Sequence, residues 1–121
     1  KAVINAERSL YLASNDKQVL DCSLKLASSY YAQEDIEGTI ESLQNAIKYY
    51  MRINSISNSD VMKGNVKDRF LADNHMRLVL LLSDEMRDDE SDKHLQKAAL
   101  CGSEFAKETI ENEELRMMRD E

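Results

Sequence analysis

Residues 36–50, Ile-Glu-Gly-Thr-Ile-Glu-Ser-Leu-Gln-Asn-Ala-Ile-Lys-Tyr-Tyr, decide the fold class. Ile36, Ile40, Leu43, Ile47 and Tyr50 step by four, three, four and three, the spacing that puts side chains on one helix face. Just upstream, Gln33-Glu34-Asp35 is a short polar break in which Asp35 is placed to cap the helix beginning at Ile36. Before it, Leu20, Leu24, Ala27, Tyr30 and Tyr31 recur at helical spacing within Val19 to Tyr31. Two amphipathic helices joined by so short a break run antiparallel and bury their apolar stripes against each other.

The same reading extends to both ends. Ala2 to Leu12 carries apolar residues at helical spacing, and Asn15 or Asp16 can cap the next helix. Downstream, Asn54 to Asp60 reads as a loop. A third helix is expected from near Asp60 to about Met86, through Val66, Phe70, Leu71 and the run Leu78-Val79-Leu80-Leu81-Leu82. Five consecutive apolar residues wrap most of a helix, so this one should be covered on more than one side. After an acidic break, Ser91 is placed to cap a last helix with Leu95, Ala98, Ala99, Phe105, Ala106 and Ile110 facing inward. Its tail, Glu111 to Glu121, is charged and polar apart from Leu115 and two methionines, and either continues as an exposed helix or frays.

Composition agrees with an all-α chain. Its 121 residues include no proline and three glycines, too few turn formers for a sheet protein. The formal charge is −7, from 16 basic and 23 acidic side chains, which speaks against nucleic acid as the main ligand. Cys22 and Cys101 stand alone within helical stretches, as expected of buried reduced thiols in a cytoplasmic or nuclear protein. The longest apolar run is five residues where a membrane span needs about 20, so no membrane role is expected. The chain opens at Lys1 inside a helical stretch, as a fragment or processed product of a longer protein would.

Sliding Leu24–Ile47 by 52 residues lays it on Met76–Ala99, with Leu26 on Leu78, Leu43 on Leu95, Gln44 on Gln96 and Ala46 on Ala98. Both helices keep the offset without a gap, as two copies of one hairpin would. Leu26-Ala27 followed by Tyr30, then Thr39, Leu43 and Ala46, resembles the tetratricopeptide repeat over residues 20–53. The second copy departs from that pattern, with Val79 where a small residue is usual and Leu82 in place of the aromatic. The step of 52 also exceeds the family's repeat of about 34. The resemblance implies antiparallel helical hairpins stacked as a short tetratricopeptide-like α-solenoid. Residues 1–14 would be the second helix of a truncated repeat, 17–53 a hairpin like the family's, and 60–119 a divergent hairpin with long helices.

For function, the resemblance implies a protein-binding scaffold. First helices would line a concave groove, with Asp21, Leu24, Ser28 and Tyr31 from one copy and Asp73, Met76, Arg77, Leu80 and Ser83 from the other facing a peptide or partner helix. In one subclass such a groove clamps a carboxylate, but Asp73, Leu24 and Ser28 stand where that clamp needs lysines and an asparagine. The alternative is a structural or oligomerisation segment of a large complex, using its outer helices. Self-association is expected through Val3, Ala6 and Leu10. No catalytic role, cofactor or metal is expected. His75 and His94 lack any HExxH or GxSxG context and read as neutral, exposed or half-buried side chains. Met86 and Arg87 break the acidic run Asp84–Asp92 as a calcium loop.

Overall fold

A computed structural model describes Ile4, Glu7, Arg8 and residues 15–120. Among them are six helices: α1 (Asp16–Ala32), α2 (Ile36–Ile53), α3 (Asn58–Met62), α4 (Arg69–Asp84), α5 (Asp88–Leu100) and α6 (Glu104–Asp120). No described residue lies in a strand, so the all-α class is observed. The chain divides into two compact units, residues 1–57 and 58–121. Ile4, Glu7 and Arg8 are helical. Val3, Ala6 and Leu10, the positions expected to self-associate, lie outside the described residues, as does most of residues 1–14.

In the first unit α1 packs along α2. The Asn15 side chain caps α1 by accepting from the Gln18 amide at 2.9 Å. Asp35 caps α2 by accepting from the Gly38 amide at 3.0 Å. Each cap satisfies a backbone donor that the helix itself cannot pair. Ile40, Leu43, Ala46 and Ile47 of α2 are buried with Leu26 and Ala27 of α1. Tyr31, which spacing puts with the apolar residues of α1 and the family resemblance puts facing a partner, is 62% exposed and so does not pack on α2. The buried set Ser23, Leu26 and Ala27 defines the centre of the face, and at about 100° per residue Tyr31 has rotated past it.

The second unit departs from expectation in four places, each with a local cause. The single long helix from Asp60 is two helices, because Gly64 takes a left-handed φ of 76° after α3 and Asp68 starts α4 by accepting from the Leu71 amide at 3.0 Å. The segment between them is tied to the far end of α5: Lys67 Nζ donates to the Leu100 carbonyl at 2.9 Å, and the Asp68 amide to that of Cys101 at 3.0 Å. Ser91 does not cap α5, which begins after Arg87 without a side-chain cap. The Ser91 hydroxyl lies one turn inside and donates to the Val79 carbonyl on α4 at 3.1 Å. The expected last helix is broken at Gly102 (φ 113°), and Ser103 restarts the chain as α6 by accepting from the Ala106 amide. The break turns Phe105 outward, while Leu95, Ala98 and Ala106 form a buried cluster with Met76, Val79, Ala99 and Ile110 against it.

Of the apolar run on α4, Leu78 and Leu82 are completely buried, Val79 and Leu81 half-buried, and Leu80 is 60% exposed. The run is thus covered on three sides rather than all round. The tail continues as exposed helix to Asp120.

The turns after α1 and α4 are built alike. Glu34 and Met86 both have left-handed backbone, at φ 61° and 58°. The Asp35 amide donates to the Tyr30 carbonyl and the Arg87 amide to that of Leu82, at 2.9 Å in both. Those two pairs of positions differ by 52 residues each. This closure, in which the chain after a left-handed residue bonds back to the preceding turn, satisfies carbonyls left open at a helix end.

Candidate functional site

Exposed first-helix positions were the expected site, and they are taken unit by unit. On α1, Asp21, Leu24, Ser28 and Tyr31 step by three, four and three, so they form one stripe. Asp21, Ser28 and Tyr31 are the more open positions and Leu24 is half-buried. On α4, Asp73, Met76, Leu80 and Ser83 repeat those steps with Arg77 beside them. Asp73, Arg77, Leu80 and Ser83 are exposed. Asp73 pairs with Arg69 one turn earlier at 3.6 Å, a solvated contact of little energy. Met76 is divided between roles, since its inner side packs on the Leu95–Ala98–Ala106 cluster. The α4 stripe is therefore apolar at its middle, at Met76 and Leu80, whereas the α1 stripe has Leu24 beside Ser28 there, and Leu80 is the more exposed leucine of the two.

Sequence reasoning missed a contact at the centre of the second unit. His75 of α4 and His94 of α5 meet with their Nδ1 atoms 2.8 Å apart and ring centroids 5.0 Å apart. At that distance one Nδ1 carries a proton and the other offers its lone pair, so the rings take opposite tautomers. His75 is only 3% exposed and His94 half-buried. Burial lowers the His75 pKa to about 3, helped by the nearby His94 and Lys97. Burial, with Lys97 adding, lowers that of His94 to about 4, and Glu90 opposes the shift. Both rings are neutral at pH 7 and pair with each other. No periodic pattern links positions 75 and 94, so nothing in the sequence announces the pair.

Glu90 and Lys97 stand near enough to the pair to act on it electrostatically. Arg87 holds Glu90 through two contacts, Nε at 3.0 Å and Nη2 at 2.8 Å, and this depresses the Glu90 carboxyl. Cys101 is a buried free thiol whose pKa burial raises, which makes it a poor nucleophile. Cys22 is free and half-buried. Among the described residues no group of three or more His, Cys, Asp or Glu side chains is arranged to hold a metal ion. No helix among them is long and apolar enough to cross a membrane.

Compared with protein-family models, curated proteins and solved structures, the chain has no significant match in any of the three.

Proposed function

We propose that this chain is a protein-interaction module, built of tetratricopeptide-like helical hairpins, that offers the exposed first-helix stripes to a peptide or partner helix. The observation that carries the reading is Leu80. This leucine is 60% exposed in mid-helix, between the completely buried Leu78 and Leu82. Tyr31, 62% exposed on α1, is its counterpart in the first unit. Exposed leucine and tyrosine on a rigid helix, with methionine beside them, suit an apolar partner surface. The matched turns after α1 and α4, and the sequence matches at the same offset, support reading the hairpins as copies of one unit. On this reading the chain is a binding protein and not an enzyme, needs no cofactor, and works in the cytoplasm or nucleus.

The test is affinity capture from cell extract beside Tyr31→Asp and Leu80→Asp variants. Both sites are exposed, so circular dichroism should show unchanged helix content. The captured partner is then purified and its Kd measured against each form. We expect at least a tenfold loss for Leu80→Asp, about 1.4 kcal/mol. Equal Kd values for parent and folded variants would reject the stripes as the binding face.

A second reading, an oligomerisation or scaffold segment, is favoured by one observation on α6. Leu115, Met117 and Met118 are all exposed on a helix whose neighbours on the same stretch are charged. If that helix joins copies, sedimentation velocity will show a concentration-dependent dimer that Leu115→Glu with Met118→Glu abolishes.

A further inference from the structure

A polar cleft in the first unit, on a different set of α1 positions from the exposed stripe, has the chemistry of a cation site. It is about 330 Å³ in volume and is bounded by Glu7, by α1 and by α2. Its apolar lining is Leu26 and the ring of Tyr30. Acceptors make up the rest. The Asn45 amide nitrogen donates to the buried Ser23 hydroxyl at 2.8 Å, which leaves the amide oxygen as that side chain's spare group. Tyr30 donates its phenol proton to Glu7 Oε1 at 2.7 Å, leaving the second carboxylate oxygen free to accept. Glu41 brings a second carboxylate, and neither it nor Glu7 has an ion-pair partner among the described residues. The Ser42 hydroxyl lines the same cleft at 7% exposure and makes no hydrogen bond among the described residues.

Two carboxylates, an amide oxygen and an unpaired, nearly buried hydroxyl therefore face one cleft with no countercharge. We propose that the cleft receives a guanidinium, the arginine side chain of a partner, with the alkyl stem against Leu26 and Tyr30 and the planar head on Glu7 and Glu41. A guanidinium is donor-only, presents five N–H groups in a fixed fork, and sheds water more readily than an ammonium, so it answers a donor-poor lining better than lysine does. The cleft lies at the small end of ligand-site volumes, which fits a single side chain rather than a cofactor. The Tyr30 phenol, its pKa raised to about 12 chiefly by the hydrogen bond to Glu7, stays protonated and keeps Glu7 in place. The cleft is independent of the exposed stripes and would take arginine even if those bound nothing.

The experiment is a nuclear magnetic resonance titration of the whole isotope-labelled chain with N-acetyl-arginine amide, beside the matching lysine and norleucine amides. Saturable shifts confined to Tyr30, Glu41, Ser42 and Asn45 are expected, with a Kd in the millimolar range. Glu41→Gln, at an exposed position, should weaken binding about fivefold with helix content unchanged. Glu7→Gln should do the same and serves as the second variant. Shifts that never saturate, that spread over every acidic helix, or that persist equally in both variants would overturn the site. Lysine amide binding as tightly as arginine amide would overturn its assignment to a guanidinium.

Discussion

Glu34, Ser55 and Met86 hold left-handed backbone with φ between 55° and 61°, a conformation that costs a side-chain-bearing residue roughly 1–2 kcal/mol. Each ends a helix, as Gly64 and Gly102 do at the corresponding point of α3 and α5. Met86 is 85% exposed, so its side chain contributes little packing to offset that strain. Met86→Gly is therefore expected to raise stability by about 1 kcal/mol, the steric relief less the added chain entropy of glycine. Urea unfolding at fixed pH measures it. Gly38 predicts the opposite sign. A Cβ there would stand 2.8 Å from Tyr30 Cγ and 2.9 Å from Asp35 Oδ2. Gly38→Ala should thus lose about 1 kcal/mol where an ordinary helix position would gain, and should disturb the Tyr30–Glu7 contact. These turns were only partly legible in the sequence. Gln33-Glu34-Asp35 marks itself by polarity, whereas a methionine at a helix end gives no local sign of left-handed backbone.

At the scale of elements, α4 separates its leucines by face. Leu78→Ala is expected to cost about 3 kcal/mol because it empties a completely buried site, while Leu80→Ala should change stability by less than about 0.5 kcal/mol. Denaturant melts of the two variants distinguish them at once. The α4–α5 contact also makes stability depend on pH. His75 and His94 have folded pKa values below the unfolded value near 6.5, so the unfolded chain binds more protons in mildly acid solution. Their contribution is complete above pH 6.5 and is lost as pH falls toward 4. Each histidine held neutral should remove about 2 kcal/mol between pH 7 and pH 5, and His75→Leu should flatten that slope. A stability profile with the same slope in parent and variant would count against the pair. Amphipathic spacing made α2 and the paired hairpin readable, since burial there follows one stripe. The two breaks in the second unit were less so. Gly102-Ser103 does spell a stop and a restart, but Asn65 to Asp68 carries no residue that forbids helix. The histidine contact is tertiary and has no local signature at all.

For the whole molecule, the net charge of −7 and an isoelectric point near 4.9 set where copies cease to repel one another. Solubility is expected to pass through a minimum near pH 4.9, measurable by light scattering, whereas the histidine effect begins above it near pH 6.5. The acid loss of stability should accordingly be visible while the protein is still dispersed. Fold class was legible from composition and spacing. The loop expected over Asn54 to Asp60, between the hairpins 17–53 and 60–119, falls where the two units divide. The break inside the second unit was not legible, because the short α3 and the segment after it resemble helix in sequence. That segment, 63–68, is the longer connection, yet Lys67 and Asp68 pin it to the end of α5. The exposed stretch Asn54 and Ser55, with Ile56 and Ser57 after it, is shorter and stands at the boundary between the units. A broad-specificity protease under native conditions should therefore make its first cut within 54–57 rather than in the longer connection. The nick would give pieces whose masses match residues close to 1–57 and 58–121, which places the boundary between the compact units at a bond a protease can reach.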